Sequence, residues 1–392
     1  MIRSILWLLI LVVNANVFTA NAVVKDTLKW SDWMAASVMK RHVKAWQIDN
    51  LDKPKWEYKP SFVLFAFEKL YKKTKKENYK NYIKDYIDTF VDSTGTIAYY
   101  ELKDYNIDYI NPGKLLFDLY DTTHDERYLT AMKTLRKQIE EQPRTASGGF
   151  WHKKIYPNQM WLDGIYMETP FYVRYTTTYE NDAAIDDVVK QLELIHDHAF
   201  DAKVKLPYQA WDESKEIGWA NASTGNSPTI WSRGIGWYMM ALVDVLDYFP
   251  KNHPKRKELI SFLNEVTQSL ITFQDETGLW YQITDKKEFE GNYLEASGSA
   301  MFAYAIAKGV NNGYLPKKYR KNANKAFDGL LNNLVTVDVN GEVHLSQISA
   351  SIGLGGNPFR DGSNAYYVAA KKSVDNSVGV GAFILAALEL NR

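Results

Sequence analysis

About twelve stretches of helical period, separated by breaks of only a few residues, constrain this chain more than any other feature. They run over roughly 28–47, 59–73, 77–91, 111–121, 125–142, 165–180, 182–200, 233–249, 255–275, 295–311, 315–335 and 376–390. Apolar residues recur three and four apart within them, as a helix with a buried face requires. Strand-like runs are short: GTIAYY (95–100), GGFWHK (148–153), GLWYQI (278–283) and GEVHLS (341–346). Each begins with Gly and follows a long helix, so the chain reads as a degenerate repeat of helix, turn, helix and short extended loop. It lacks the tight period of roughly 20 to 50 residues that marks a solenoid. No linker rich in Pro or Ser divides it, and the Lys-rich stretch YKKTKKENYKNYIK (71–84) reads as a solvated helix junction. Residues 23–392 are therefore expected to form one all-α domain. Six hairpins closed in a ring, a six-hairpin toroid, would set the inter-helix loops around a central cavity; periodicity by itself gives only a mostly helical domain.

The first residues read differently. A basic start at Arg3, the apolar run ILWLLILVV (5–13) and an A-x-A ending at Ala22 have the form of a cleaved secretory signal, so residues 1–22 are expected to be removed. The run is short for a membrane span. An exported protein, periplasmic or secreted and free of the membrane after cleavage, is the expectation, with an uncleaved N-terminal anchor as the alternative. The chain has no Cys, which excludes disulfides and thiolate metal sites. Its formal net charge is zero, which argues against a nucleic-acid partner. With 12 Trp, 26 Tyr and 17 Phe it carries more rings than a core needs, and flat rings are platforms for sugars.

The loops between helices hold the polar residues that chemistry needs. NIDYINPGK (106–114) offers Asp108 ahead of a helix. GGFWHKKIYPNQMWLDGIYM (148–167) brings His152, Lys153, Trp161 and Asp163 into one connection. LPYQAWDES (206–214) supplies Gln209 and Trp211, and SPTIWSRGIGWYMMAL (227–242) supplies Trp231, Arg233 and Trp237. Each precedes a helix, whose free N–H groups and dipole favour anions. Each also has a plain structural reading. Asp108 or Asp163 would serve as a helix cap, the two Trp would serve as core, and Arg233 would hold a structural carboxylate. An ionised Asp163 among Trp161, Gly164 and Met167 would be costly to bury without a partner. No G-x-S-x-G, H-E-x-x-H or nucleotide-binding glycine pattern occurs, and no metal or cofactor is expected.

Taken together, MWLDGIYMETPF, WSRGIGW, NIDYINPG and the tail GLGGNPFRDGSNAYY…GVGAFILA resemble glycoside hydrolase family 105, close to family 88. The resemblance runs from WEY (56–58) to the last helix. It implies an (α/α)6 barrel. It also implies removal of a 4,5-unsaturated uronic acid from the non-reducing end of oligosaccharides that polysaccharide lyases release. That reaction is hydration of a vinyl ether: protonation at C4, water addition at C5, then opening of the hemiketal. Carried over onto this sequence, the resemblance makes Asp163 the acid and Asp108 the carboxylate that orients water or shares the proton. Tyr58, His152, Trp161, Met167, Gln209, Trp211, Trp231, Arg233 and Trp237 fall at sugar-contacting positions, with Arg233 suited to a carboxylate through its planar fork.

Two departures bear on the substrate. Gln209 stands in YQAWD where relatives have a His, and Val378 stands in DNSVGVG where they have a Lys. The resemblance favours rhamnose as the next sugar, from rhamnogalacturonan or ulvan, over hexosamine. Lys153 and Lys154 are candidates to meet a sulfate or carboxylate on it. A non-catalytic protein that captures such oligosaccharides, or a sugar epimerase on the same barrel, are the competing readings.

Overall fold

The computed structural model describes residues 29–392; the expected signal at 1–22 lies outside the described residues. Two kinds of helix alternate along the chain. The first kind comprises α2 (Tyr58–Thr74), α4 (Leu116–Thr123), α6 (Leu162–Tyr179), α8 (Ser232–Val245), α10 (Ala296–Asn311) and α13 (Ser377–Leu390). Apart from the short α4, each is buried over most of its length. Every residue of α8 is buried, which only a helix with neighbours on all sides tolerates. The second kind buries one stripe: α1 (Trp30–Arg41), α3 (Glu77–Phe90), α5 (Glu126–Glu141), α7 (Ile185–Ala199), α9 (Arg256–Leu270) and α11 (Arg320–Asn333). In α3 the stripe is Tyr79, Tyr82, Ile83, Tyr86, Ile87 and Phe90, the three-four spacing of a helix laid on a core.

Packing follows from that difference. The buried helices touch in a closed order: α4 with its preceding 3-10 run, α6, α8, α10, α13, α2 and back to α4's 3-10 run. Each of the first five hairpins in the chain joins a ring helix to the outer helix that follows it. The last ring helix, α13, is instead covered by α1 from the other end of the chain. Lys29 Nζ donates to Asn391 Oδ1 at 2.6 Å across that closure. This is the expected (α/α)6 toroid, with the ring helices all entering from one end.

The Gly-led loops share one turn. At Gly278 (φ +95°), the glycine N–H donates to the Asp275 carbonyl at 2.9 Å and the Asp275 N–H donates to the Leu279 carbonyl at 2.9 Å. The pattern recurs at Gly95 with Asp92, at Gly148 with Thr145 and at Gly341 with Asp338, all with positive φ. Left-handed backbone is why Gly sits there, and the repeat of the turn is the internal repeat visible in the sequence. The extended runs after it are shorter than expected. GTIAYY and GGFWHK form only single bridges, Val91 to Ile97 and Arg144 to Phe150. The other two runs pair as Trp280–Tyr281 with Leu294–Glu295, and Val343–Leu345 with Val335–Val337. Two ladders escaped the sequence reading: Gln159–Trp161 with Ala210–Asp212, and Ile348–Ser349 with Lys372–Ser373. So did a short helix, α12 (Asn364–Val368).

One helix expectation changes in kind. The stretch expected as a helix at 111–121 begins as a 3-10 run, Ile107–Leu115, and becomes α-helical only at Leu116. Pro112 lies inside the run and lacks the N–H that an α-helical turn uses. Its N-cap is Asn106, whose Oδ1 accepts from the Asp108 N–H at 3.1 Å. Asp108 is thereby relieved of capping, and its carboxylate is left for other work.

Candidate active site

The ring helices deliver their first turns to one mouth of the barrel, and a cavity of about 590 Å³ opens there. Tyr58 comes from the start of α2, Asp108 from the 3-10 run, and Asp163 and Met167 from the start of α6. His152, Tyr156 and Trp161 come from the connection before α6, and Ser351, Ile352, Gly353 and Arg360 from the segment before α12. A basic rim surrounds them with Lys53, Lys55 and Lys59. Six of the expected site residues therefore meet on one wall: Tyr58, Asp108, His152, Trp161, Asp163 and Met167.

The two carboxylates lie in different electrostatic settings. Burial acts on Asp108 to raise its pKa, but Lys153 Nζ lies 2.6 Å from Oδ2 and prevails, holding the group below the usual carboxylate range. Asp163 has no such cation. Burial raises it, Arg233 partly offsets that, the Asp108 charge adds to the rise, and the result is a pKa of about 7. Its Oδ2 is buried without a hydrogen-bond partner among the described residues. A pair of acids driven apart in this way keeps one ionised and the other able to hold a proton at neutral pH.

An aromatic wall stands beside them. The Trp161 ring stacks on His152 at 4.6 Å and 10° and on Tyr156 at 4.8 Å and 19°. His152 Nε2 faces Asp108 Oδ1 at 3.7 Å. Burial pushes the imidazole down to about 4, so it is neutral near pH 7.

Five expected contact residues do not line the cavity. Arg233 is buried behind the wall; its Nη1 donates to the Ser349 carbonyl at 2.6 Å and its Nη2 to the Ala350 carbonyl at 2.5 Å. The fork that was expected to take a carboxylate instead fixes the backbone leading into Ser351. The Trp231 ring lies under the Arg233 guanidinium at 4.7 Å, and its indole donates to Gln282 Oε1 at 3.1 Å. Trp237 is core, stacked on Tyr166 at 4.8 Å and edge-on to Phe62 at 4.9 Å. Trp211 stacks on His198 at 4.2 Å and donates to the Thr224 carbonyl at 3.1 Å. Gln209 is buried and accepts from the Tyr367 hydroxyl. Trp231 and Trp237 lie where the plain core reading puts them, whereas Arg233 holds two backbone carbonyls rather than a structural carboxylate.

Lys153, expected to meet a charged group on the next sugar, is engaged by Asp108 instead. Val378 is buried in the first turn of α13, an apolar setting without room for a solvated ammonium. Sequence reasoning passed over Tyr156 and Arg360. Tyr156 lay inside a connection already singled out, three residues after Lys153 and five before Trp161. Arg360 lay in the glycine-rich tail; its Nη2 donates to the Tyr156 hydroxyl at 3.0 Å and its Nε to the Gly355 carbonyl at 2.7 Å.

Comparison with known proteins agrees with this architecture. The sequence model of Glycosyl Hydrolase Family 88 matches residues 30–392. A solved glycoside hydrolase from family 105 of C. acetobutylicum ATCC 824 is 40% identical, with a TM-score of 0.89 over 93% of this chain and 99% of that one. The unsaturated rhamnogalacturonyl hydrolase YesR of Bacillus subtilis is 28% identical over 224 residues, 56% of this chain and 61% of the relative. An unsaturated glucuronyl hydrolase from Bacillus sp. GL1 shares the fold, with a TM-score of 0.64 over 87% of this chain and 88% of that one at 12% identity.

Proposed function

Because this chain belongs to glycosyl hydrolase family 88, we propose that it is a hydrolase that removes a 4,5-unsaturated uronic acid from oligosaccharides left by polysaccharide lyases. The observation that carries this reading is the pair of unlike carboxylates in one cavity: Asp163 raised to about 7, and Asp108 held ionised by Lys153. Vinyl-ether hydration asks for one acid and one base on a single ring. Asp163 gives its proton to C4, and the electron pair of the C4=C5 bond forms the new C–H bond. Positive charge at C5 is shared with the ring oxygen. A water adds at C5 and yields its proton to Asp108. The resulting hemiketal opens by cleavage of the bond from C5 to the ring oxygen, and C5 becomes a ketone. The C1 hemiacetal so formed breaks down to an aldehyde and releases the remainder of the oligosaccharide as an alcohol.

The rest of the cavity fits the substrate class. The Trp161 indole with Tyr156 and His152 offers a flat face for a sugar ring. The rim cations Lys53 and Lys55 meet the uronate, a role that Arg233 cannot take while its fork holds two carbonyls. For the next sugar we favour rhamnose, as in rhamnogalacturonan or ulvan fragments, on the strength of the named relatives. Near-ultraviolet absorbance of the C4=C5 bond, followed side by side on lyase digests of rhamnogalacturonan, ulvan and a glycosaminoglycan, tests both levels. Fastest loss on a rhamnose-linked fragment is expected. Preference for the hexosamine-linked disaccharide would overturn the choice of sugar, and no loss on any digest would overturn the activity.

A further inference from the structure

Among the buried carboxylates that the proposed chemistry does not use, one has no hydrogen-bond partner at either oxygen among the described residues. Glu168, on α6, is 1% exposed, and both of its oxygens lack a hydrogen-bond partner among the described residues. A buried polar group left so is costly, and native proteins keep few of them without a reason. The nearby His152 repeats the pattern: it is 3% exposed, and its Nδ1 is buried with no partner. Both side chains line one small cavity of about 10 Å³, which Gly164, Trp161 and Gln191 help to enclose. That is about the volume a single water needs, provided polar groups receive it.

The local sequence makes the arrangement specific. Gly164 faces His152 so closely that a Cβ there would meet Nδ1 at 2.8 Å. Glu168 is one turn further along the same helix face. Stacking on Trp161 at 10° fixes the plane of the imidazole, so Nδ1 points at the cavity while Nε2 faces Asp108.

We propose that Glu168 is a positioning residue: through one water in this cavity it sets the tautomer of His152, and so holds a donor toward Asp108. The neutral ring has a single N–H. Facing the Asp108 carboxylate, that hydrogen belongs on Nε2, which makes Nδ1 an acceptor in need of a donor. Burial, with the Asp187 charge adding and Arg144 opposing, pushes the Glu168 carboxyl well above the ordinary carboxylate range, which favours its protonated form as the donor. The chain then runs from the Glu168 hydroxyl to water and from water to Nδ1, which leaves Nε2–H facing Asp108 at 3.7 Å. This assignment rests on the catalytic reading of Asp108, but its primary test does not require activity.

The experiment is ¹⁵N spectroscopy of His152 in the full chain, in wild type, Glu168→Gln and Glu168→Met, with kinetics on an unsaturated uronyl disaccharide beside it. Wild type is expected to show a hydrogen-bonded acceptor Nδ1 and a protonated Nε2. Glu168→Gln, which keeps a donor, should retain that signature, and Glu168→Met should lose it. In the kinetics, kcat should fall about tenfold in the Met variant with KM little changed, and the Gln variant should restore most of it. Identical His152 signals in wild type and Glu168→Met would overturn the proposal even if the enzyme is active. Retained tautomer control in a protein that turns over no uronyl substrate would instead count against the reading of the site. Should Glu168→Met fail to fold, a crystal structure of the wild type decides the matter. A water bridging Nδ1 and Glu168 supports the proposal, and a cavity without one overturns it.

Discussion

Lys153 Nζ lies 2.6 Å from Asp108 Oδ2, and this ion pair holds Asp108 down while its cavity neighbour Asp163 is pushed up to about 7. Both groups are buried, so without the cation both would be driven toward the protonated form. Replacing the ammonium should therefore move the acid limb of the activity profile. In wild type, kcat/KM is expected to rise as Asp108 deprotonates below the usual carboxylate range and to fall as Asp163 loses its proton near 7. In Lys153→Met the base protonates at higher pH, so the profile narrows from its acid side. A loss of roughly tenfold at pH 5 relative to wild type would place the titration of the base about one unit above that pH. An acid limb that stays in place would refute the pairing as the cause.

Asp163→Asn separates catalysis from stability. An amide keeps the shape but has no proton to give, and general acid catalysis contributes roughly 10² to 10⁴ in rate. Turnover should fall by at least that much while substrate binding stays within a few-fold. Stability should move the other way. The folded-state pKa of Asp163 is raised, so the stability linked to its proton is fully present below the ordinary value near 4. It is lost as pH climbs through about 7. Asn carries no such penalty, and at pH 8 the variant should gain up to about 4 kcal/mol over wild type. Denaturant unfolding at pH 4 and pH 8 reads this directly; an equal difference at both would show that Asp163 is not the titrating group.

The repeated turn offers a test of the fold. At Gly278 a Cβ would meet the Lys325 carbonyl oxygen at 2.1 Å, in addition to the strain of φ +95°. At Gly341, φ is +74° and nothing lies within 4 Å. Gly341→Ala should therefore cost only the left-handed strain, about 1 kcal/mol, and Gly278→Ala clearly more, about 2–3 kcal/mol or above. Chemical denaturation of the two variants compares them, and equal losses would mean that the backbone contact at Gly278 relaxes freely.

How far the sequence carried the fold depends on which forces are local. The outer helices could be read because each buries a stripe, as in Tyr79–Ile83–Tyr86–Ile87–Phe90 of α3. The Gly-led turns could be read because a positive φ selects Gly over other residues. The ladder of Gln159–Trp161 with Ala210–Asp212 could not, since its partners lie some fifty residues apart and each strand has only three residues. The site divides in the same way. Asp163 stood out as a carboxylate among apolar neighbours, a contrast visible in a few adjacent positions. Trp231, Arg233 and Trp237 have the same Trp-plus-polar look as a sugar site, yet their partners, the Ser349 and Ala350 carbonyls and Tyr166, come from distant segments. Composition cannot tell a Trp that faces a cavity from one that backs its wall. Arg360 was missed for a related reason: only the folded tail brings it against Tyr156.

The central claim is that this protein hydrates the C4=C5 bond of an unsaturated uronyl residue, with Asp163 as the acid. The most direct measurement follows chromophore loss and release of the neighbouring sugar together, at initial rate, on one defined disaccharide, with wild type and Asp163→Asn side by side. The account predicts one chromophore lost for each sugar released by wild type, with the two in step from the first seconds, and neither event with the variant. Sugar released while the chromophore persists, or a chromophore consumed equally well by Asp163→Asn, would contradict it.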